Sequence, residues 1–274
     1  MKTIIVPTDF STTSNNAINY AVDLGREINC SISLFHAYQV PVSMTDVPIV
    51  LISVEDLQKN AEIRMAEVKK SLEQTAGGAI KIYAETKLGD TVDELEDLCN
   101  RIKPFAVVMG TKGTTGLERV FFGSTTLRTI KHLSWPVIVV PPDKKYSTIK
   151  KIGFACDFRE VVNTTPTWFI KDFVKQFNAE LHVLNVDYKN SHFKPETPGE
   201  SGLLHTMLED LNPKYDFIKD ENIEAGIEKF AEKNNLDLVI TIPKKHKLLE
   251  GLFRKSHTKD LVFHSHLPIM CVHD

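Results

Sequence analysis

The run Lys2-Thr-Ile-Ile-Val-Pro-Thr-Asp-Phe10 returns in the second half of the chain as Lys150-Lys-Ile-Gly-Phe-Ala-Cys-Asp-Phe158, which sets Asp9 opposite Asp157. Three further pairs keep the same order: Ser31-Ile-Ser-Leu-Phe-His-Ala37 with Glu180-Leu-His-Val-Leu-Asn-Val186, Ala106-Val-Val-Met109 with Leu238-Val-Ile-Thr241, and Trp135-Pro-Val-Ile-Val-Val140 with Leu267-Pro-Ile-Met-Cys-Val272. An internal duplication accounts for all four. Its joint falls near Pro141-Pro-Asp-Lys-Lys-Tyr146, where paired prolines and charges read as a linker. Two domains are expected, over residues 1–143 and 146–274.

Within the first copy, the short β-branched or aromatic runs Thr3–Pro7, Ser31–Phe35, Ile80–Tyr83, Phe105–Met109 and Val137–Pro141 read as strands. Helical patterns separate the first four. Ala17, Ile18, Ala21, Val22, Leu24 and Ile28 form one apolar stripe, and Leu57, Ala61, Met65, Val68 and Leu72 form another. Alternating strands and helices favour right-handed crossovers and a parallel sheet covered on both faces. The expected fold is α/β: two tandem, mostly parallel, five-stranded doubly wound (Rossmann-like) domains. One continuous large sheet is the competing architecture. The polar segment from Tyr188 to His205, with Pro195, Pro198, Gly199 and Gly202, reads as a loop or lid.

Composition narrows the function classes. The formal net charge is −3, and neither half is basic, so a nucleic-acid partner is not expected. The apolar run at the N-terminus stops at Pro7 and Asp9, too short for a signal core or a membrane span, so a cytoplasmic protein without membrane contact is expected. Cys30, Cys99, Cys156 and Cys271 lie far apart without a CxxC pair, which suits reduced thiols.

The stretch GTKGTTGLERVFFGST, residues 110–125, begins where the fourth strand ends. In a doubly wound sheet that is where ligands bind. Gly110 closes the strand, Gly113 permits a left-handed turn, and Gly123-Ser124 opens a helix through Leu127, Ile130 and Leu133. A helix start built from glycine and serine offers unpaired N–H groups and a positive dipole end to a phosphate. The competing account makes the glycines turn residues and Asp9 a helix cap. Neither GxxxxGK[ST] nor a GxGxxG after the first strand is present. The spacing Gly-x2-Gly-x9-Gly-Ser, with Pro7-Thr8-Asp9 after the first strand, resembles the universal stress protein family across essentially the whole chain, in two copies.

That resemblance implies a stress-response or signalling module that binds ATP with Mg²⁺, with at most slow hydrolysis. Gly113, Gly123, Ser124 and Thr125 would face the triphosphate, Asp9 would lie near the ribose and phosphates, and Ala37 would offer its backbone to adenine. Pro7, Thr8, Met109 and Gly110 complete the implied cofactor-binding set. No catalytic residue is assigned, although Asp9 could orient a water and Lys112, Arg119 or Arg128 could offset phosphate charge. The family also implies dimerisation through the fifth strand, which a tandem chain satisfies internally by pairing Val137–Val140 with Ile269–Val272, as an intramolecular pseudo-dimer. A further homodimer and an unidentified protein partner stay open.

In the second copy Gly110, Gly113 and Gly123 correspond to Ile242, Lys245 and Lys255, and only Ser256 keeps its type. ATP binding there in the family manner is not expected. Lys244, Lys245, Lys247, Arg254, Lys255 and Lys259 surround the vacated position as a solvated rim or an anion pocket. His246, His257, His264, His266 and His273 crowd the C-terminal end, but no zinc-type spacing appears and no metal site is assigned. Three functions remain: a nucleotide-binding module, an ATPase or phosphotransferase, and a small-molecule sensor acting through the second domain.

Overall fold

A computed structural model of the chain describes residues 2–40, 53–111, 123–187, 197–243, 261–262 and 265–273. Two compact units divide it, Met1–Trp135 and Pro136–Asp274. The first contains β1 (Thr3–Pro7), α1 (Thr12–Glu27), β2 (Ser31–Tyr38), α2 (Val54–Ala76), β3 (Ile82–Leu88), α3 (Thr91–Ile102), β4 (Ala106–Gly110) and α4 (Ser124–His132). Its strands lie in the order β3-β2-β1-β4. All three pairings are parallel, with Ile4 opposite both Ile32 and Ala106.

Ile4, Ile5 and Val6 are consecutive and all fully buried, which requires cover on both faces of β1. Such uninterrupted apolar runs mark the interior strands of parallel sheets. The stripe on α1 is buried as its spacing requires, and Ser11 caps that helix by accepting from the Ser14 N–H. On α2, Ala61, Met65 and Leu72 are buried while Leu57 and Val68 are half-buried. Gly77 ends α2 at φ +59°, a conformation that costs a side-chain residue strain. The third strand begins and ends later than its apolar run, at Ile82–Leu88 rather than Ile80–Tyr83. It is an edge strand: only Ile82 is buried, and register with β2 defines the rest, from Ile32–Ile82 to Tyr38–Leu88.

The second unit contains β5 (Val137–Val140), β6 (Lys151–Ala155), α5 (Val161–Thr164), α6 (Thr167–Phe177), β7 (Glu180–Asp187), α7 (Thr197–Leu208), β8 (Lys214–Lys219), α8 (Ile223–Asn234), β9 (Leu238–Thr241) and β10 (Ile269–Cys271). The order β8-β7-β6-β9-β10 realises the doubly wound 3-2-1-4-5 arrangement in full, and β3-β2-β1-β4 follows the same order. The first copy's fifth strand, β5, belongs to the second unit. It pairs antiparallel with β10, Ile269 opposite Val139 and Cys271 opposite Val137, the pairing expected of those two segments. Each strand thereby covers an edge of the other.

Two local differences between the copies have evident causes. Where α1 is one helix, the second copy has α5 and α6, because Pro166 lacks an N–H and disfavours helical backbone in the residue before it. The segment read as a loop or lid is corrected over its second part, residues 197–205, which belongs to helix α7. Pro198 sits in the first turn, where proline is tolerated, and Leu204 and Leu208 are fully buried. Burial of those leucines outweighs the poor helix propensity of Gly199 and Gly202. The four cysteines are all thiols, and burial pushes Cys30 up to about 11 and Cys99 up to about 12. Among the described residues no helix is long and apolar enough to cross a membrane.

Candidate functional site

The site is built from two strand ends and one helix start. After β1, the Thr8 N–H donates to the Phe35 carbonyl (2.8 Å), and Thr8 Oγ1 accepts from the Phe10 N–H (3.0 Å). Asp9 Oδ1 accepts from the Ser11 N–H (3.0 Å). These bonds hold Phe10 at φ +63°, a left-handed conformation that costs a side-chain residue about 1–2 kcal/mol. Asp9 therefore braces the turn, and Ser11 caps α1 in its place. From β2, His36 Nδ1 donates to the Thr8 carbonyl (2.8 Å), and the Phe10 ring lies 4.5 Å from the imidazole, centroid to centroid. The Arg64 guanidinium lies over the same Phe10 ring at 4.4 Å. Burial is the largest influence on His36 and lowers its pKa below the usual histidine value, with Arg64 pulling the same way against the Thr8 bond and Asp9.

On the other side of β1, β4 ends at Met109-Gly110. The Thr126 hydroxyl donates to the Gly110 carbonyl (2.9 Å), tying α4 to the strand end. A Cβ on Gly110 would lie 2.6 Å from Thr13 Cγ2, and one on Gly123 would lie 2.7 Å from the Thr111 carbonyl oxygen. Gly123 has φ −56°, which any residue adopts, so close backbone approach is the reason for glycine there. Gly123 supplies no side-chain cap, whereas α1, α2 and α3 are capped by Ser11, Ser53 and Asp90. The first intrahelical acceptor of α4 is the Gly123 carbonyl, taken by Leu127 (3.1 Å). The helix opens without an acidic residue in its first turn and ends with Lys131 and His132. Among the described residues no side chain caps its positive end, which suits an anion.

Together these parts enclose a cleft of about 250 Å³ at the carboxyl ends of β1 and β4, where the strand order reverses. Pro7, Thr8, Asp9, Ala37, Met109, Gly110, Gly123, Ser124 and Thr125 all line it. Gly113, the remaining residue of the expected set, lies outside the described residues. Ser14, His36, Thr91 and Thr126 also line it, and sequence spacing did not single them out. His36 carried a signal: an imidazole near the end of a largely buried strand has to find a polar partner.

Of the cations considered for offsetting phosphate charge, Arg128 is committed elsewhere. Its guanidinium grips Asp90 through two bonds of 2.9 Å, while Asp90 Oδ1 also caps α3 by accepting from Val92 (2.9 Å) and Asp93 (3.4 Å). The Arg128 bonds are the main reason the Asp90 carboxyl falls to about 2, assisted by the two backbone N–H groups. Lys112 and Arg119 lie outside the described residues. Asp90→Ala is expected to cost about 1 kcal/mol through the lost cap. A depressed carboxyl contributes stability above its unfolded value of 3.8 and loses it as pH falls towards about 2. Urea melts at pH 7, 4 and 3 should accordingly show the gap between wild type and variant narrowing with acid. A gap that does not depend on pH would mean that the ion pair contributes nothing.

The second copy repeats the turn. Phe158 adopts φ +50°, its N–H donates to Cys156 Sγ (3.4 Å), the Arg159 N–H donates to Asp157 Oδ1 (3.2 Å), and Asn185 Nδ2 donates to the Cys156 carbonyl (2.9 Å). Ile242 follows β9 where Gly110 ends β4. Lys244, Lys245, Lys247, Arg254, Lys255, Ser256 and Lys259 lie outside the described residues, as do His246, His257 and His264. Among the described residues no group of three or more histidine, cysteine, aspartate or glutamate side chains is placed to hold a metal ion.

A doubly wound sheet with an uncapped helix start at its switch point defines the class as the Rossmann-like α/β domains, here in tandem. The universal stress protein family model matches residues 1–141 and again 148–273, and the chain belongs to that family as a tandem two-domain member. A universal stress protein of Methanocaldococcus jannaschii is 32% identical over 152 residues, covering 53% of this chain and 84% of that protein. One from Synechocystis sp. is 23% identical over 214 residues, covering 77% and 71%. In fold, the crystal structure of a universal stress protein from Archaeoglobus fulgidus superimposes with a TM-score of 0.74 at 17% identity, over 99% of this chain and 98% of that one. Family membership supports a role in the stress response.

Proposed function

We propose that the first unit is an ATP-binding module of the stress response, in which nucleotide occupancy rather than turnover is the functional state. The observation that carries this reading is the uncapped start of α4, which opens on a cleft lined from β1 and β2 as well. The Ser124, Thr125 and Thr126 N–H groups would hold phosphate oxygens, with the helix dipole adding to them. Their fit rests on the absent side chain of Gly123, since a Cβ there meets backbone. A Mg²⁺ ion would be held by the phosphate oxygens and the Ser124 hydroxyl, and would supply charge neutralisation. The Thr8, Asp9, His36 and Ala37 end would take the nucleoside.

Turnover is expected to be slow at most. Arg128 is occupied by Asp90, so it is not poised to act on a γ-phosphate, and Asp9 already spends one carboxylate oxygen on the Ser11 N–H. The reading places the protein in the cytosol, which the thiols Cys30, Cys99 and Cys271 suit. The test is to purify the whole chain natively, denature it and identify the released nucleotide by chromatography. Co-purified ATP, or a stoichiometric Mg-ATP titration of emptied protein, is the expected result. A chain that carries no nucleotide and ignores added Mg-ATP would overturn the proposal.

A further inference from the structure

We infer that His36 is a specificity-determining residue of the first-unit cleft: its Nε2 accepts one hydrogen bond from an N–H or O–H donor on the nucleoside half of the bound nucleotide. This rests on the nucleotide reading above. A carbonyl oxygen only accepts, so the 2.8 Å contact with Thr8 requires the proton on Nδ1. In the neutral ring Nε2 is then a bare acceptor. Burial and the Arg64 guanidinium both favour the neutral form.

His36 is half-buried and lines the cleft, and Nε2 has no protein partner among the described residues. The ring is held on two sides, by the Thr8 bond and by Phe10, which is itself fixed by Thr8 Oγ1. The lone pair thus has one direction to point, at no cost in ordering when a ligand arrives.

Strand order supplies the direction of the ligand. Neighbouring strands lie about 4.8 Å apart, so the end of β2 is about 10 Å across β1 from the end of β4. A nucleotide whose phosphates sit at α4, beyond β4, presents its nucleoside towards β2 and His36. The second copy keeps the same local arrangement, a side chain that donates to the carbonyl after the first strand and presents a bare acceptor. Asn185 occupies the position of His36, donates Nδ2 to the Cys156 carbonyl, and leaves Oδ1 buried without a partner. Histidine and asparagine share little chemistry except that each can donate to the β1-end carbonyl and still present one acceptor.

The donor that His36 receives is the adenine 6-amino group or a ribose hydroxyl, and a panel separates them. Isothermal titration of the whole chain with the Mg²⁺ salts of ATP, ITP, 2′-deoxy-ATP and 3′-deoxy-ATP is expected to show one analogue about tenfold weaker than ATP, the effect of one such bond. His36→Phe should bind that analogue and ATP alike, while His36→Asn should restore the discrimination. Weak binding of ITP points to the amino group, and weak binding of a deoxy analogue to the hydroxyl it lacks. A His36→Phe protein with wild-type ratios throughout, or a wild type that treats all four alike, overturns the assignment. A wild type that binds none of them overturns the nucleotide reading itself. Nitrogen-15 NMR of wild-type His36 needs no variant: the spectrum should show the Nδ1–H tautomer, with the Nε2 resonance moving on ATP addition. An Nε2 signal unmoved at saturation also overturns the proposal.

Discussion

Gly123→Val is expected to abolish the nucleotide binding proposed for the first unit, weakening Mg-ATP by a hundredfold or more through overpacking at a backbone contact and a blocked anion site, in a variant that still folds. The Cβ alone would fall 2.7 Å from the Thr111 carbonyl oxygen and 3.3 Å from Thr126 Oγ1. Backbone cannot swing aside as a long side chain can, so the start of α4 has to move. That movement displaces the Ser124, Thr125 and Thr126 N–H groups together and strains the Thr126 bond to Gly110, the tie between helix and strand. Overpacking of this kind costs about 1–3 kcal/mol, within the reserve of an ordinary domain. Gly110→Ala is the informative companion. Its Cβ meets Thr13 Cγ2 at 2.6 Å and the Thr13 carbonyl at 2.9 Å, so the pressure falls on α1 and stability should suffer more than affinity. Isothermal titration beside circular dichroism melts separates the two. Wild-type affinity in folded Gly123→Val protein would remove the helix start from the binding account.

The largest loss of stability is expected in the second unit, from Phe154→Ala. Phe154 is fully buried on β6, the strand between β7 and β9, and the ladders on either side hold its backbone in place. Removing a ring that neighbours cannot replace costs about 3–5 kcal/mol, the transfer term plus a cavity. Collapse into that cavity is limited, because the opposite face of the strand is already tight. A Cβ on Gly153 would meet Leu236 Cδ1 at 2.8 Å and Leu184 Cδ1 at 2.9 Å. A drop of that size consumes much of a typical domain's stability. Hydrogen exchange read by mass spectrometry should show β6, β7 and β9 losing protection first. A loss below about 1 kcal/mol would mean that the core around β6 repacks freely.

Much of the architecture is legible in residue order. The β1, β4 and β5 runs each hold an uninterrupted apolar stretch, as a strand buried on both faces requires. β3 was less legible, because an edge strand with Glu85 and Lys87 takes its length from pairing with β2 rather than from burial. The helix at Thr197–Leu208 is hidden in the residue order, because Pro198, Gly199 and Gly202 signal a loop locally, while burial of Leu204 and Leu208 is a tertiary fact. At the site, the Gly-x2-Gly-x9-Gly-Ser spacing drew attention to the strand–helix junction. It could not show that Gly123 is needed for its distance to Thr111, nor that Arg128 is spent on Asp90.

The amino-acid order alone determined the duplication, the alternation of strand and helix, the place where β4 hands over to α4, and the loss of the glycines from the second copy, since these rest on local periodicity and spacing. Only the tertiary structure decided that His36 carries its proton on Nδ1, that Phe10 is held in a left-handed turn beside it, and that β5 runs antiparallel to β10. The first and the last are settled by contacts between residues remote in sequence, and the turn by side chains two residues away whose orientation the residue order does not state. A hydrogen bond or strand register of that kind depends on where the chain returns, which a local pattern does not encode.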